Sequence, residues 1–139
     1  MQDSILIVDD NPDDAMLIKR AVTNLRTKAS VRIVFSGKEM MEYVDGTSGY
    51  SDREAYPYPV LILLDLRMPE VNGFELLIWL KSEPRHAGIP VIVITCLDGQ
   101  REIRKSYQLG ARTFLRKPIS SKSIRDAITS LKLPIEFSD

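Results

Sequence analysis

The sequence predicts a doubly wound α/β fold, a parallel sheet with helices on both faces, from three observations. Short apolar runs alternate five times with segments of helical periodicity. The central runs, such as Val60-Leu61-Ile62-Leu63-Leu64, lack polar alternation and read as strands buried on both faces. The intervening segments are long enough for a helix, which favours parallel strands joined by right-handed crossovers.

In order, the first strand is Ile5–Val8, and Asn11-Pro12 opens the first helix, where proline is acceptable in the first turn. Ile18, Ala21, Val22 and Leu25 give that helix one apolar face. Val31–Phe35 is the second strand, and the next helix carries Met40, Met41 and Val44. The third strand ends at Asp65, and the helix after Gly73 presents Leu76, Leu77 and Leu80. Val91–Ile94 follows Pro90 as the fourth strand. The fourth helix, roughly Gly99 to Gln108, offers only Ile103 and Tyr107 to a core. Thr113–Arg116 is the fifth strand, and a last helix buries Ile124, Ala127, Ile128 and Leu131 before Pro134 stops it.

The chain has 139 residues, 44% hydrophobic and 27% charged, as expected of one soluble domain over residues 1–139 with an insertion at about 46–59 and a short tail at about 134–139. The insertion, GTSGYSDREAYPYP, is long for a connection and reads as a mobile, solvated loop, with a tyrosine-bearing partner contact as the alternative. The formal net charge is zero, so bulk electrostatics favour neither nucleic acid nor membrane as a partner. The amino terminus, MQDSILIVDD, is too short in its apolar run and wrongly flanked for a signal peptide, and no run reaches membrane-spanning length. With one cysteine, Cys96, no internal disulfide forms, and a reducing cytoplasm is the expected location.

Reactive groups stand at four strand ends: Asp9-Asp10, Asp65, Thr95 and Lys117-Pro118. The carboxyl edge of an open α/β sheet is where such folds place ligands. Three carboxylates there repel one another, and a hard divalent cation such as Mg²⁺ relieves this with carboxylate oxygens and waters. Asp65 then qualifies as a nucleophile, because carboxylates form acyl phosphates. Lys117 and Thr95 supply the ammonium and hydroxyl that an incoming phosphoryl group needs.

The set Val8-Asp9-Asp10, Leu64-Asp65-Leu66-Arg67-Met68-Pro69 with Gly73, Ile94-Thr95, and Phe114 to Lys117-Pro118 resembles the receiver domain of two-component response regulators, of the chemotaxis-regulator kind. The resemblance covers essentially the whole chain. It implies a flavodoxin-like (βα)5 fold with strand order 2-1-3-4-5. It also implies that Asp65 accepts a phosphoryl group from a histidine of a sensor kinase or of a histidine phosphotransfer protein. Asp9, Asp10, Asp65 and the backbone carbonyl of Arg67 would bind Mg²⁺ or Mn²⁺. Thr95 and Phe114 are similar to the switch hydroxyl and switch aromatic, Lys117 to the phosphate-pairing lysine, and Lys117-Pro118 to a cis bond. The long segment before the third strand and Lys105-Ser106-Tyr107-Gln108-Leu109-Gly110 are similar to a narrower group, the single-domain regulators that partner bacterial phytochromes. Arg67 and Leu97 occupy positions that flank the acyl phosphate in this family and tune water access.

Cys96 departs from the family's smaller or hydroxyl-bearing residue. It reads as a buried small hydrophobe, with a redox-sensitive thiol as the alternative. His86 reads as a surface loop residue. Between Arg101 and Arg125 stand eight basic residues and one acid, Glu102. That charge reads either as a solvated face or as a fourth-helix to fifth-helix surface for an acidic partner or a homodimer. With no domain after Asp139, the expected protein is a stand-alone regulator that binds a target, relays its phosphoryl group to a histidine protein, or acts as a phosphate sink. A haloacid-dehalogenase phosphatase would want Asp-x-Asp after the first strand, where this chain reads Asp9-Asp10-Asn11-Pro12. An FMN carrier would want a phosphate loop there, where Asp9 and Asp10 repel phosphate.

Overall fold

The computed structural model describes residues 3–137. Five parallel strands, β1 (Ser4–Val8), β2 (Ser30–Val34), β3 (Pro59–Leu64), β4 (Val91–Thr95) and β5 (Thr113–Arg116), pair in the order β2-β1-β3-β4-β5. The connecting helices are α1 (Pro12–Thr23), α2 (Gly37–Asp45), α3 (Gly73–Ser82) and α4 (Gln100–Gln108), and α5 (Ser121–Ser130) follows β5. The strand order is the one the resemblance implied. Phe35, expected in the second strand, lies just past β2 and is exposed.

The pleat divides the core. Leu6 and Val8 face α2 and α3, where Met40, Val44, Leu76, Leu77 and Leu80 cover them. Ile5 and Ile7 face α1 and α5, against Ile18, Val22, Ile124 and Ile128. Covering both faces of an all-parallel sheet is what lets the centres of β1, β3 and β4 be continuous apolar runs. No helix among the described residues is long and apolar enough to cross a membrane.

Three expectations need correction. In the 46–59 segment Thr47, Ser48, Gly49, Ser51, Asp52, Glu54 and Ala55 are exposed, as in a solvated loop, but the tyrosines between them are packed. Tyr50 and Tyr56 stack on the buried Tyr43 of α2 at 5.1 and 6.0 Å between ring centroids. Arg53 donates to the carbonyls of Tyr43 and Val44 at 2.9 and 2.8 Å, satisfying the open end of α2. The tyrosines therefore turn toward α2 because aromatic burial outweighs the turn-forming composition around them.

His86 is buried, at 2% exposure, although it lies in the α3–β4 loop as expected. Its Nε2–H donates to Asp45 Oδ1 at 2.8 Å, and Nδ1 lies 2.6 Å from the Tyr58 hydroxyl. The ring also packs 5.4 Å from Trp79. Both nitrogens have partners, which is what makes burial of the imidazole tolerable. His86→Ala is expected to lower stability by about 2–3 kcal/mol, from the cavity and the lost hydrogen bonds, read as a lower urea midpoint.

In α4 the core position belongs to Ser106, whose hydroxyl donates to Glu102 O at 2.8 Å, while Tyr107 is 47% exposed. Ile103 is half-buried, so α4 rests on the sheet with little apolar grip. The short tail packs on the domain: Ile135 is buried beside α1 and α5, and Phe137 bridges Thr27. Residues 138–139 lie outside the described residues.

Candidate functional site

Backbone hydrogen bonds align the strand ends that carry the site. Asp65 N donates to Val8 O at 2.9 Å, and Lys117 N donates to Thr95 O at 2.9 Å. Asp9, Asp65, Thr95 and Lys117 thus emerge at one carboxyl edge. The β3–α3 turn is pressed against this edge at Gly73, where a Cβ would meet Leu66 Cα at 2.6 Å and Asp65 O at 2.7 Å. A side chain at Gly73 would push the turn off the acid it supports.

One carboxylate oxygen each from Asp9, Asp10 and Asp65 lie within 4.8 Å of one another. Asp9 is fully buried, Asp65 is 6% exposed, and Asp10 is exposed. Asp9 is held firmly: Oδ1 accepts from Asn11 N at 3.0 Å and Oδ2 from Lys117 Nζ at 2.7 Å. Asp65 is held loosely. Its Oδ1 accepts from Arg67 N at 3.4 Å and its Oδ2 lies 3.5 Å from Lys117 Nζ. Of the two buried acids, Asp65 therefore keeps the lone pairs less committed to protein donors, as a nucleophile requires.

Burial raises the pKa of Asp9, and this outweighs the hydrogen bonds from Lys117 and Asn11 that favour its charged form. For Lys117, burial disfavours the ammonium, but hydrogen bonds to Asp9 and Asp14 and the charge of Asp65 prevail, holding its pKa above the ordinary value. The two directions are consistent. One ammonium is shared among several acids, so it gains from all of them while each acid is only partly compensated. Three hard oxygen donors with an uncompensated negative charge fit a divalent cation of the Mg²⁺ type.

Thr95 is fully buried, with Oγ1 accepting a long bond from Leu97 N at 3.4 Å. Phe114 is half-buried against the core on the α2–α3 face. The Lys117-Pro118 bond is cis. Arg67 is exposed, Leu97 is half-buried, and Arg67 lines the 510 Å³ cavity over Asp65 with Asp10, Met68 and Thr95. Cys96 is exposed, not buried: it stands one residue past β4, beyond the helices that cover both faces of the strand. It lines both that cavity and a neighbouring 460 Å³ groove between α1 and the β5–α5 connection.

Sequence reasoning missed Asp14. Its Oδ2 accepts from Lys117 Nζ at 2.9 Å, a fourth acid in the site. The available signal was its place in the first turn of α1, which Asp13 shares, so the sequence did not single it out. Asn11 fixes that start by accepting from the backbone N–H groups of Asp13 and Asp14 at 2.9 and 3.1 Å.

Comparison with known proteins agrees with this geometry. The family described as the response regulator receiver domain matches residues 5–129. The probable methanogenesis regulatory protein FilR2 of Methanothrix harundinacea is 32% identical over 92% of this chain and 80% of its own length. Response regulator Rcp1 of Synechocystis sp. is 30% identical over 88% of this chain and 79% of its own. A crystal structure of the Mn²⁺-bound form of response regulator Rcp1 superposes with a TM-score of 0.78, at 28% identity and 99% coverage of both chains. The bacteriophytochrome response regulator AtBRR superposes with a TM-score of 0.86, at 29% identity, covering 100% of this chain and 99% of that one. Some other relatives are longer, and this chain spans only 26% to 48% of their length. This chain belongs to the response regulator receiver domain family, and its function is phosphoryl-accepting signalling.

Proposed function

We propose that Asp65 is the phospho-acceptor of a cytoplasmic response regulator, charged by a sensor histidine kinase or a histidine phosphotransfer protein. The observation that carries this reading is the contrast between the two buried acids: Asp9 is tightly hydrogen-bonded, and Asp65 faces the cavity with only two long contacts. An Asp65 oxygen attacks phosphorus, the phosphorus–nitrogen bond to the donor histidine breaks, and its electron pair stays on the imidazole. Lys117 and the Thr95 hydroxyl supply hydrogen bonds to the phosphoryl oxygens where charge accumulates. Asp9, Asp10, Asp65 and the backbone carbonyl of Arg67 would hold Mg²⁺ or Mn²⁺, which when bound offsets the charge of the phosphoryl group and the acids together. The chain would catalyse only its own phosphorylation and slow dephosphorylation.

The output is a switch. Thr95 is free to leave its long bond to Leu97 for a phosphoryl oxygen, and Phe114 turns into the space vacated. One hydrogen bond to a charged group is worth about 1.5–3 kcal/mol, enough to shift a two-state ratio by one to two decades. The weakly gripped α4 is the element that such a shift moves most cheaply. Its Arg101 and Arg104 are exposed and without an ion-pair partner among the described residues, which suits an acidic target or a second copy across the α4–α5 face. Reversing both charges is expected to weaken that contact about tenfold at low salt and much less at high salt, measured by titration of the phosphorylated protein.

The test of the whole reading is intact-protein mass after incubation with Mg²⁺ and a small phosphoryl donor. A gain of one phosphoryl group that chelation of the metal abolishes is expected, and no gain would refute it. The lifetime of the product separates the alternatives, because a long-lived acyl phosphate suits a binding switch and rapid return to a histidine protein suits a relay or phosphate sink.

A further inference from the structure

Lys117 has three N–H protons and three carboxylate neighbours: Asp9 at 2.7 Å, Asp14 at 2.9 Å and Asp65 at 3.5 Å. In this arrangement the ammonium is drawn toward β1 and α1, and its contact with Asp65 is the longest of the three. A phosphoryl group on Asp65 adds oxygens that must compete for the same protons. Releasing Asp9 would leave a fully buried carboxylate without its cation, a costly change. Asp14 is 34% exposed in its side chain, so water can replace the lysine there at little cost.

We infer that Asp14 is a positioning residue that restrains Lys117 on the α1 side and so slows phosphorylation of this site. The inference rests on the reading of Asp65 as the acceptor. Two effects act in the same direction. The 2.9 Å charge-assisted bond must loosen before Nζ can turn fully to the phosphoryl oxygens. The Asp14 carboxylate also lines the cavity over Asp65 and repels an approaching phosphoryl anion. Asp14 lies outside the Asp9, Asp10 and Asp65 cluster, so its removal leaves that set of acids intact.

The experiment measures the initial rate of phosphoryl uptake from a small donor at saturating Mg²⁺. Asp14→Asn should raise the rate about three- to tenfold, since the bond it removes is charged but partly solvated. Asp14→Glu, which keeps the charge on the same helix face, should return the rate to within about twofold of the parent. Asp13→Asn removes one negative charge from the adjacent exposed position, which makes no contact with Lys117, and should leave the rate unchanged. In a Lys117→Met background, Asp14→Asn should keep only the smaller gain from lost repulsion, because the restraint itself acts through the ammonium. Thermal midpoints measured beside each rate separate a folding defect from a kinetic one. No acceleration in Asp14→Asn, equal acceleration in Asp13→Asn, or full acceleration without Lys117 would each overturn the inference. The parent reading is checked separately. If Asp65→Asn still takes up phosphate, both ideas fail; if Asp65→Asn is inert and Asp14→Asn matches the parent, only the restraint fails.

Discussion

Asp65→Asn should gain no phosphoryl mass under conditions that fully label the parent, a loss of at least about a thousandfold, equivalent to some 4 kcal/mol of barrier. The substitution keeps the shape of the side chain and removes the anionic oxygen. Asp65 sits against the turn at Gly73 and below 7% exposure, so an isosteric amide should fold without rearrangement. The competing acids are poorer nucleophiles for identifiable reasons. Asp9 commits both oxygens to bonds at 3.0 and 2.7 Å, and Asp10 is exposed, where water solvates its charge. Residual labelling of Asp65→Asn, mapped by peptide mass to Asp10, would move the acceptor by one strand. Residual labelling at His86 is not expected, since both ring nitrogens face internal partners.

Much of this site was legible because its residues report on strand ends. A strand buried on both faces has no place for an ionisable side chain, so the first one after Val8 or Leu64 marks the carboxyl edge. What stayed hidden depends on partners distant in sequence. His86 looks like a loop residue until Asp45 and Tyr58, 41 and 28 positions away, come to its two nitrogens. The tyrosines of the 46–59 segment sit among turn formers, and only the position of Tyr43 on α2 shows that they have a surface to stack on. α4 misled for a different reason. With few apolar residues its helical phase is weakly marked, and Ser106 could be buried because its hydroxyl bonds its own helix at Glu102 O. Asp14 was hidden by plenty: in a run of four acids around Asn11-Pro12, only geometry picks the one that meets Lys117.

Lys117→Met should separate two properties that a single cation now couples. The ammonium bonds one oxygen of Asp9 and approaches one of Asp65, two of the three acids that would hold a divalent ion. Removing it takes away a competitor, so Mg²⁺ should bind severalfold more tightly even though the site phosphorylates about a hundredfold more slowly, having lost the group that answers the phosphoryl charge. Stability should move the other way when metal is chelated. The raised pKa of Lys117 means that the folded state favours its charged form, a contribution fully present at all pH values below the ordinary lysine range of about 10.4 and lost only as pH rises through the folded value. At pH 7 the whole contribution is therefore at stake. Without it Asp9 stays buried with only Asn11 N to bond, at a cost of about 1–3 kcal/mol. Added Mg²⁺ should restore the loss, because a ligand that binds only the folded state stabilises it by RT ln(1 + [L]/Kd). Thermal midpoints against Mg²⁺ concentration read both effects in one series. The variant curve should start below the parent and rise more steeply. A variant curve parallel to the parent's would mean that Lys117 and the metal do not share these carboxylates.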